Sequence, residues 1–435
     1  MHDTRTTQSS RELSLDLYRS AAVLLVVIGH WLLSVMTFKD GEFGRDNPLV
    51  LMPWTQWLTW GFQVVPIFFV VAGYASAGSW ERFQAGGGGS RQDWLRRRIA
   101  RVLGPTGVYV LFVFTVMAVL MLVGIDGSVL ELGGWAVAMH LWFLAVYVMV
   151  VTLTPVAVAA HRRWGLAVPA VLAAGVLVVD AIGIGTGHPE IRMLNYLVCW
   201  AAIYQLGIAW HGGLLRRVHL LMMAAVSAAA LAGLVTWGPY PIAMIGVPGD
   251  RVENSAPPSL ALLALAATQA GLLLAVAPAV NRGLQRGVWP RIIGVANNNV
   301  MALYLWHMFP VVIVTLIGYP TGLLPQPSLG SGMWWLARLE WEVVLMVATS
   351  ALLALLWWQR RVFAAPLPTF LTRVPAVPAE SALYIGTGSC ALALGMLAAS
   401  GFAPDGRFPV LIVVLFAVGT QLVAIRPKAP VETSE

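Results

Sequence analysis

Arg19 and His30, near the start of the chain, are of residue types that do chemistry and are spaced to act together. They lie eleven positions apart in the segment LSLDLYRSAAVLLVVIGHW. On a helix, at about 100° per residue, that spacing is close to three full turns, so both side chains share a face and stand about 16 Å apart along it. Asp16 falls one turn before Arg19 on that face and is placed to pair with it, and Ser34 falls one turn beyond His30. An imidazole suits proton transfer near neutral pH, and a guanidinium fork suits anionic oxygen. The plainer reading is also open: a histidine inside an apolar helix often serves only as a hydrogen-bonding partner between helices.

The elements that must position this stripe are membrane spans. Of 435 residues, 58% are hydrophobic and only 11% charged, which leaves too little charge to cover the outside of a water-soluble globule. The apolar residues gather in blocks of roughly twenty, the length needed to cross hydrocarbon. Candidate spans fall near 15–36, 57–79, 102–124, 135–159, 165–185, 191–211, 218–238, 258–280, 293–317, 335–358, 382–400 and 407–425. The expected fold is therefore all-α, a polytopic membrane protein of about twelve spans. The fifth and sixth are the least distinct, because Asp180, Gly183, Gly185 and Gly187 blur their junction. An arginine at mid-span costs roughly 2.5–3.5 kcal/mol on insertion scales, so the charged groups of the first span should face a protein cavity. That span lacks a small-residue cleavage site and reads as retained rather than removed.

Charge sets the orientation. Arg5 and Arg11, the run from Arg82 to Arg101, Arg162 and Arg163, Arg216 and Arg217, Arg282 to Arg291, Arg360 to Arg373, and Arg426 with Lys428 all fall on one side of the spans. The opposite loops hold fewer cations, Lys39, Arg45, Arg192, Arg251, Arg338 and Arg407, beside nine carboxylates. The positive-inside rule then places both termini in the cytoplasm. The net charge of +7 is thus a matter of topology, and no nucleic-acid partner is expected. Lysine is confined to Lys39 and Lys428 while arginine, alanine, glycine and valine abound, a bias that points to a GC-rich bacterial genome and hence to a bacterial plasma membrane. Gly86 to Ser90 read as a flexible spacer. Cys199 and Cys390 sit in apolar stretches as packing residues, and many of the 19 tryptophans fall at span ends, where an interfacial belt is expected. No helix face carries metal-ligand spacing, and phosphate loops and serine elbows are absent.

Several segments, taken in order, resemble acyltransferase family 3. Arg19, ten residues and His30 match the hallmark of its first span. VPIFFVVAGY at 65–74 resembles its second-span element, with Ala72 where serine is usual, and DWLRRRIARVLGP at 93–105 is similar to its basic loop with an Arg-x-x-Arg pair. HLWFL at 140–144 and ALYLWHMFPV at 302–311 resemble its Leu-Trp-Phe-Leu and Tyr-Leu-x-His elements. Asn297 to Asn299 occupy a place where the family commonly has serine. The resemblance covers about residues 12–358. It divides the chain into a polar tail (1–14), a ten-span core (15–358), a cytoplasmic linker (359–381), two further spans (382–425) and a second tail (426–435).

The resemblance implies an O-acyltransferase that takes an acyl group, acetyl above all, from cytoplasmic acyl-CoA. The acceptor would be a hydroxyl of an envelope glycan, a lipid or a small molecule at the outer face. No tightly bound cofactor is implied; acyl-CoA is a substrate. His30 would act as general base or carry the acyl group briefly. Arg19 would bind donor phosphate or polarise the thioester, unless it only anchors the span through Asp16. Arg97, Arg98 and Arg101 would hold coenzyme A phosphates; by position alone they are also ordinary juxtamembrane arginines or a contact for anionic lipid. His140, Trp142, Tyr304 and His307 would line an acceptor site or merely pack at the interface. The extracytoplasmic domain fused to some members is missing, so a separate partner protein would supply any later step. The competing reading is a transporter whose Arg, Asp and His residues line a path, although no repeated halves or paired broken helices are detectable.

Overall fold

The computed structural model describes residues 12–87, 89–372 and 375–427. Arg5 and Arg11 in the N-terminal tail, Gly88 of the spacer, Arg373, and the tail from Lys428 onward lie outside the described residues. Helix dominates, and the chain is an all-α polytopic membrane protein.

The first span is α1 (Leu13–Leu33), which ends where the Ser34 N–H and hydroxyl both turn back to the His30 carbonyl, at 2.9 and 2.6 Å. A short antiparallel hairpin follows, β1 (Val35–Lys39) and β2 (Glu42–Asp46). Its two-residue turn is Asp40-Gly41, both with positive φ, the geometry that matches strand twist in a tight hairpin. The next spans are α2 (Val65–Ala85), with Pro66 in its first turn, and α3 (Arg91–Leu122), opened by a Ser90–Asp93 capping box. At 32 residues α3 is about 48 Å long, well beyond the roughly 30 Å of hydrocarbon. Its arginine-bearing first turns therefore project from the membrane.

The fourth span departs from the expected continuous helix over 135–159. It is α4 (Gly127–Ala136), a 3₁₀ turn at Met139–Leu141, α5 (Trp142–Thr152) and then a separate α6 (Thr154–Trp164). The break persists because other helices satisfy its freed carbonyls: the Tyr109 hydroxyl donates to Val137 at 2.6 Å, and the Tyr304 hydroxyl donates to His140. Next come α7 (Ala167–Gly185), α8 (Asn195–His211), α9 (Arg217–Trp237) and α10 (Leu260–Leu284). The blurred junction of the fifth and sixth spans is a turn organised by fully buried Asp180. Its carboxylate accepts from Arg192 and Asn195 at 3.0 Å each, from the Tyr240 hydroxyl at 2.9 Å and from the Leu260 N–H at 2.8 Å.

The ninth expected span is bent by 50° between α11 (Trp289–Trp306) and α12 (Met308–Gly318), with His307 at the corner. After α13 (Gly332–Trp358) the chain closes with α14 (Ala376–Ser400) and α15 (Val410–Ala424). Ten helical stretches among the described residues are long and apolar enough to cross a membrane, or eleven with the bent pair. In place of the twelfth stands α15, whose 15 residues reach only about 22 Å. Pro409 precedes it, and it runs directly into β4 (Ile425–Pro427), which pairs in parallel with β3 (Phe370–Thr372).

Two close contacts organise the interior around the first span. At the crossing of α2 and α8, a Cβ on Gly73 would overlap the Tyr204 carbonyl, and one on Gly207 would overlap the Val70 carbonyl. Only glycine allows these backbones to touch. On the other flank α14 and α15 pack against α3, α4 and α5. Buried Arg96 donates to the Val423 and Ala379 carbonyls at 3.2 Å each, and the Phe402 N–H donates to the Gly134 carbonyl at 3.3 Å. Arg91–Glu380 and Arg426–Asp93 ion pairs close the same seam.

Candidate active site

The polar face of α1 meets α11 at two levels. At the first, the Arg19 guanidinium donates to Asn297 Oδ1 from Nε at 2.7 Å and also from Nη2. Asn297 Nδ2 in turn donates to Asp16 Oδ1 at 3.1 Å, and Arg19 pairs with Asp16 at 3.5 Å. The three side chains form a closed triangle, so the guanidinium is held in one orientation.

At the second level His30, in the last turn of α1, places Nδ1 2.8 Å from Nε2 of His307. The rings stack with centroids 5.1 Å apart. His307 Nδ1 lies 2.8 Å from the Tyr304 carbonyl, and a carbonyl only accepts, so Nδ1 carries the hydrogen. In neutral His307, Nε2 is then an acceptor. The Nδ1 of His30 must donate to it, which leaves Nε2 of His30 as the basic nitrogen. His307 is itself anchored from behind, because the Trp31 indole donates to its carbonyl at 3.0 Å.

His140 completes the cluster from the broken fourth span. Its ring centroid is 4.9 Å from His307 and 5.2 Å from Tyr304. It is buried, and neither ring nitrogen makes a hydrogen bond. Among the described residues no group of three or more His, Cys, Asp or Glu side chains is arranged to hold a metal ion.

A cavity of about 240 Å³ joins the two levels. Arg19, Asn297 and Arg101 lie along it, as do His30, His140, Trp142 and Tyr304. Phe68 and Phe143, which belong to two of the family-like segments, and Tyr147, which belongs to none, supply much of the apolar wall.

A sequence profile of the family described as acyltransferase domain matches residues 12–358, most of the chain. The chain belongs to acyltransferase family 3. Comparison with curated proteins and with solved structures gives no match. This multi-pass membrane acyltransferase brings together, in one place, most of the residues that its sequence singles out. Arg19, His30, His140, Trp142, Tyr304 and Arg101 line one cavity, with His307 directly behind His30 and Asp16 behind Arg19. Arg98 and Arg97 do not line it. The Arg98 guanidinium donates to Ser76 at 2.7 Å and lies over Trp94, while exposed Arg97 lies over Phe83.

Asn297 enters the site although its sequence position marked it only as a departure from the family's serine. The run of three asparagines, Asn297 to Asn299, inside an otherwise apolar stretch was the available signal. Tyr109, which holds the helix break open, left no trace in the pattern, since a tyrosine in a span reads equally well as packing.

Proposed function

We propose that this acyltransferase moves an acyl group, acetyl by our reading, from cytoplasmic acyl-CoA to a hydroxyl of an envelope glycan, lipid or small acceptor on the outer face. The enzyme would sit in a bacterial plasma membrane with both termini in the cytoplasm. One observation carries the reading: the basic nitrogen of His30 belongs to a residue lining a cavity that also reaches Arg19 and Arg101.

The nucleotide of the donor docks at the arginine-bearing end of α3, where Arg97 is exposed and Arg101 marks the cavity's edge. Only the slender thiol-ester arm enters, since about 240 Å³ lies below the roughly 300–1,000 Å³ of ordinary ligand pockets. That constraint favours a short acyl group. Arg19, held by Asn297 and Asp16, sets its positive charge towards the arm and the thioester oxygen.

In the transfer the acceptor O–H bond breaks and its proton passes to His30 Nε2. The oxygen bonds to the thioester carbon, the C–S bond breaks, and the leaving sulfur takes the proton from His30 to depart as the free thiol. In a two-step version Nε2 attacks the thioester carbon and the C–S bond breaks to release the thiolate; the acceptor oxygen then bonds to that carbon as the C–N bond breaks, and the hydroxyl proton passes by way of the freed Nε2 to the thiolate. The donation from His30 Nδ1 to His307 stabilises the positive charge that either path places on His30. His140, Trp142 and Tyr304 contact the acceptor end. No tightly held cofactor is required, and a separate extracytoplasmic protein would take the product onward.

The test uses inverted vesicles holding equal amounts of wild type or His30→Ala, supplied with labelled acetyl-CoA and native envelope extract. Coenzyme A release and label on the lumenal material are expected with wild type, and a fall of about 10²–10⁴-fold with the variant. Equal rates in the two preparations would remove His30 from the chemistry. Silence of both with acetyl-CoA and with longer acyl-CoAs would overturn the donor assignment.

A further inference from the structure

A second cavity, of about 860 Å³, shares no lining residue with the transfer cavity. It is a groove between α7 and α9, with α8 and α10 as its floor. Helix α9 sits directly on α10 at Gly271, where a Cβ would overlap the Leu220 carbonyl. On the other side α7 is tied to α10 where the Leu260 N–H meets Asp180. The two helix pairs are thus fixed while a gap persists between them. Its floor is recessed: Ala202, Leu263 and Ala264 border the space yet are only 2%, 7% and 9% exposed. Along α9 the lining runs from His219 to Leu234, which is about 22 Å of the roughly 30 Å of hydrocarbon.

Apart from His219 and Ser227, every lining residue is apolar. Water finds too few polar partners to settle there, and the volume falls within the roughly 300–1,000 Å³ of ordinary ligand pockets. The end of the groove at Leu166 and Leu215 has the opposite character. The two turns that carry these residues adjoin, since a Cβ on Gly165 would stand 3.3 Å from Leu214. Exposed Arg162, Arg163, Arg216 and Arg217 flank them. The carboxylate of Glu81 is taken by Arg162 at 3.3 Å and by His211 at 2.8 Å. Among the described residues Arg163, Arg216 and Arg217 make no ion pair. Three cations without a counter-charge therefore stand at the mouth of an apolar groove that runs into the membrane. The matching molecule is an amphiphile with hydrocarbon chains and a net negative headgroup.

We propose that this groove holds an anionic phospholipid, its chains lying between α7 and α9 and its headgroup at Arg216 and Arg217, with Arg163 across the mouth. The proposal rests on the membrane architecture and is independent of the transfer reaction. The recessed floor distinguishes such a lipid from those that merely coat the outer faces of the helices, because it contacts both helix pairs at once. The net charge of the headgroup distinguishes it from a zwitterionic lipid with the same chains.

The experiment is native mass spectrometry of the full-length protein in detergent micelles, titrated with dioleoyl phosphatidylglycerol or dioleoyl phosphatidylcholine. The two probes share their chains and differ in headgroup charge. Wild type is expected to retain phosphatidylglycerol at concentrations where phosphatidylcholine is lost. Replacing Arg216 and Arg217 together by glutamine should weaken phosphatidylglycerol binding by about tenfold or more. Ala230→Trp should weaken it by filling the groove; Ala230 is exposed, so the larger ring does not enter the packed interior. The control is Arg360→Gln with Arg361→Gln, an equally exposed adjacent pair that does not border the groove, and it should leave binding unchanged. Equal retention of the two lipids by wild type, phosphatidylglycerol binding that survives either the Arg216 and Arg217 replacement or the filled groove, or an equal loss in the control pair would overturn the proposal.

Discussion

His30 and His307 share one hydrogen bond, and its direction is what gives His30 a free basic nitrogen. Replacing His307 by glutamine keeps an acceptor oxygen towards His30 Nδ1, whereas leucine removes it. His307→Gln is therefore expected to retain measurable transfer, and His307→Leu to approach the rate of His30→Ala; equal rates for the two would contradict the assigned donor direction. Asn297→Ala releases Arg19 from a charge-assisted bond worth about 1.5–3 kcal/mol. We expect KM for acyl-CoA to rise by about tenfold, for each 1.4 kcal/mol lost, with a smaller change in kcat. The Arg19 and His30 stripe was legible in the sequence because helical periodicity is local. Its partners were not, since His307 stands 277 positions from His30 and Asn297 stands 278 from Arg19, and only packing brings them together.

Two of the clustered histidines sit where helices are interrupted, His140 in the 3₁₀ turn before α5 and His307 at the corner before α12. Breaks in a helix that is apolar all round leave no mark on hydrophobic periodicity, which explains why the fourth and ninth spans were expected to run straight. Pro310 marks the second corner, since it has no N–H for the Trp306 carbonyl and its ring crowds that carbonyl, but no proline marks the first. What holds the first break is a pair of tyrosine hydroxyls from distant helices, so Tyr304→Phe should strand the His140 carbonyl. A loss of about 1–3 kcal/mol of stability is expected, checked by thermal unfolding in detergent alongside kcat. At the α2–α8 crossing Gly207→Val forces two backbones apart. Overpacking of this kind costs about 1–3 kcal/mol, and a lowered unfolding midpoint is the expected result; an unchanged midpoint would show that the crossing yields more easily than its geometry implies.

At the scale of the whole molecule, the alternation of arginine-rich and acidic loops made the membrane architecture legible, whereas the length of the last helix was not, because Pro409 and the β3–β4 pairing set its ends. The same alternation predicts the orientation. Both native cysteines are buried, so single cysteines introduced at exposed Glu42 and Arg286 report sidedness against a quiet background. An impermeant maleimide applied to intact cells should label Glu42→Cys and spare Arg286→Cys; the reverse pattern would invert the proposed direction of transfer. The buried contacts of Arg96 bear on a different matter, the choice of a minimal fragment. The family match stops at residue 358, yet the carbonyls that receive this guanidinium belong to residues 379 and 423. A fragment trimmed to the homologous region would strip an interior arginine of both carbonyl partners on the very helix that bears Arg97, Arg98 and Arg101. The boundary of shared ancestry and the boundary of autonomous folding therefore fall at different places in this chain.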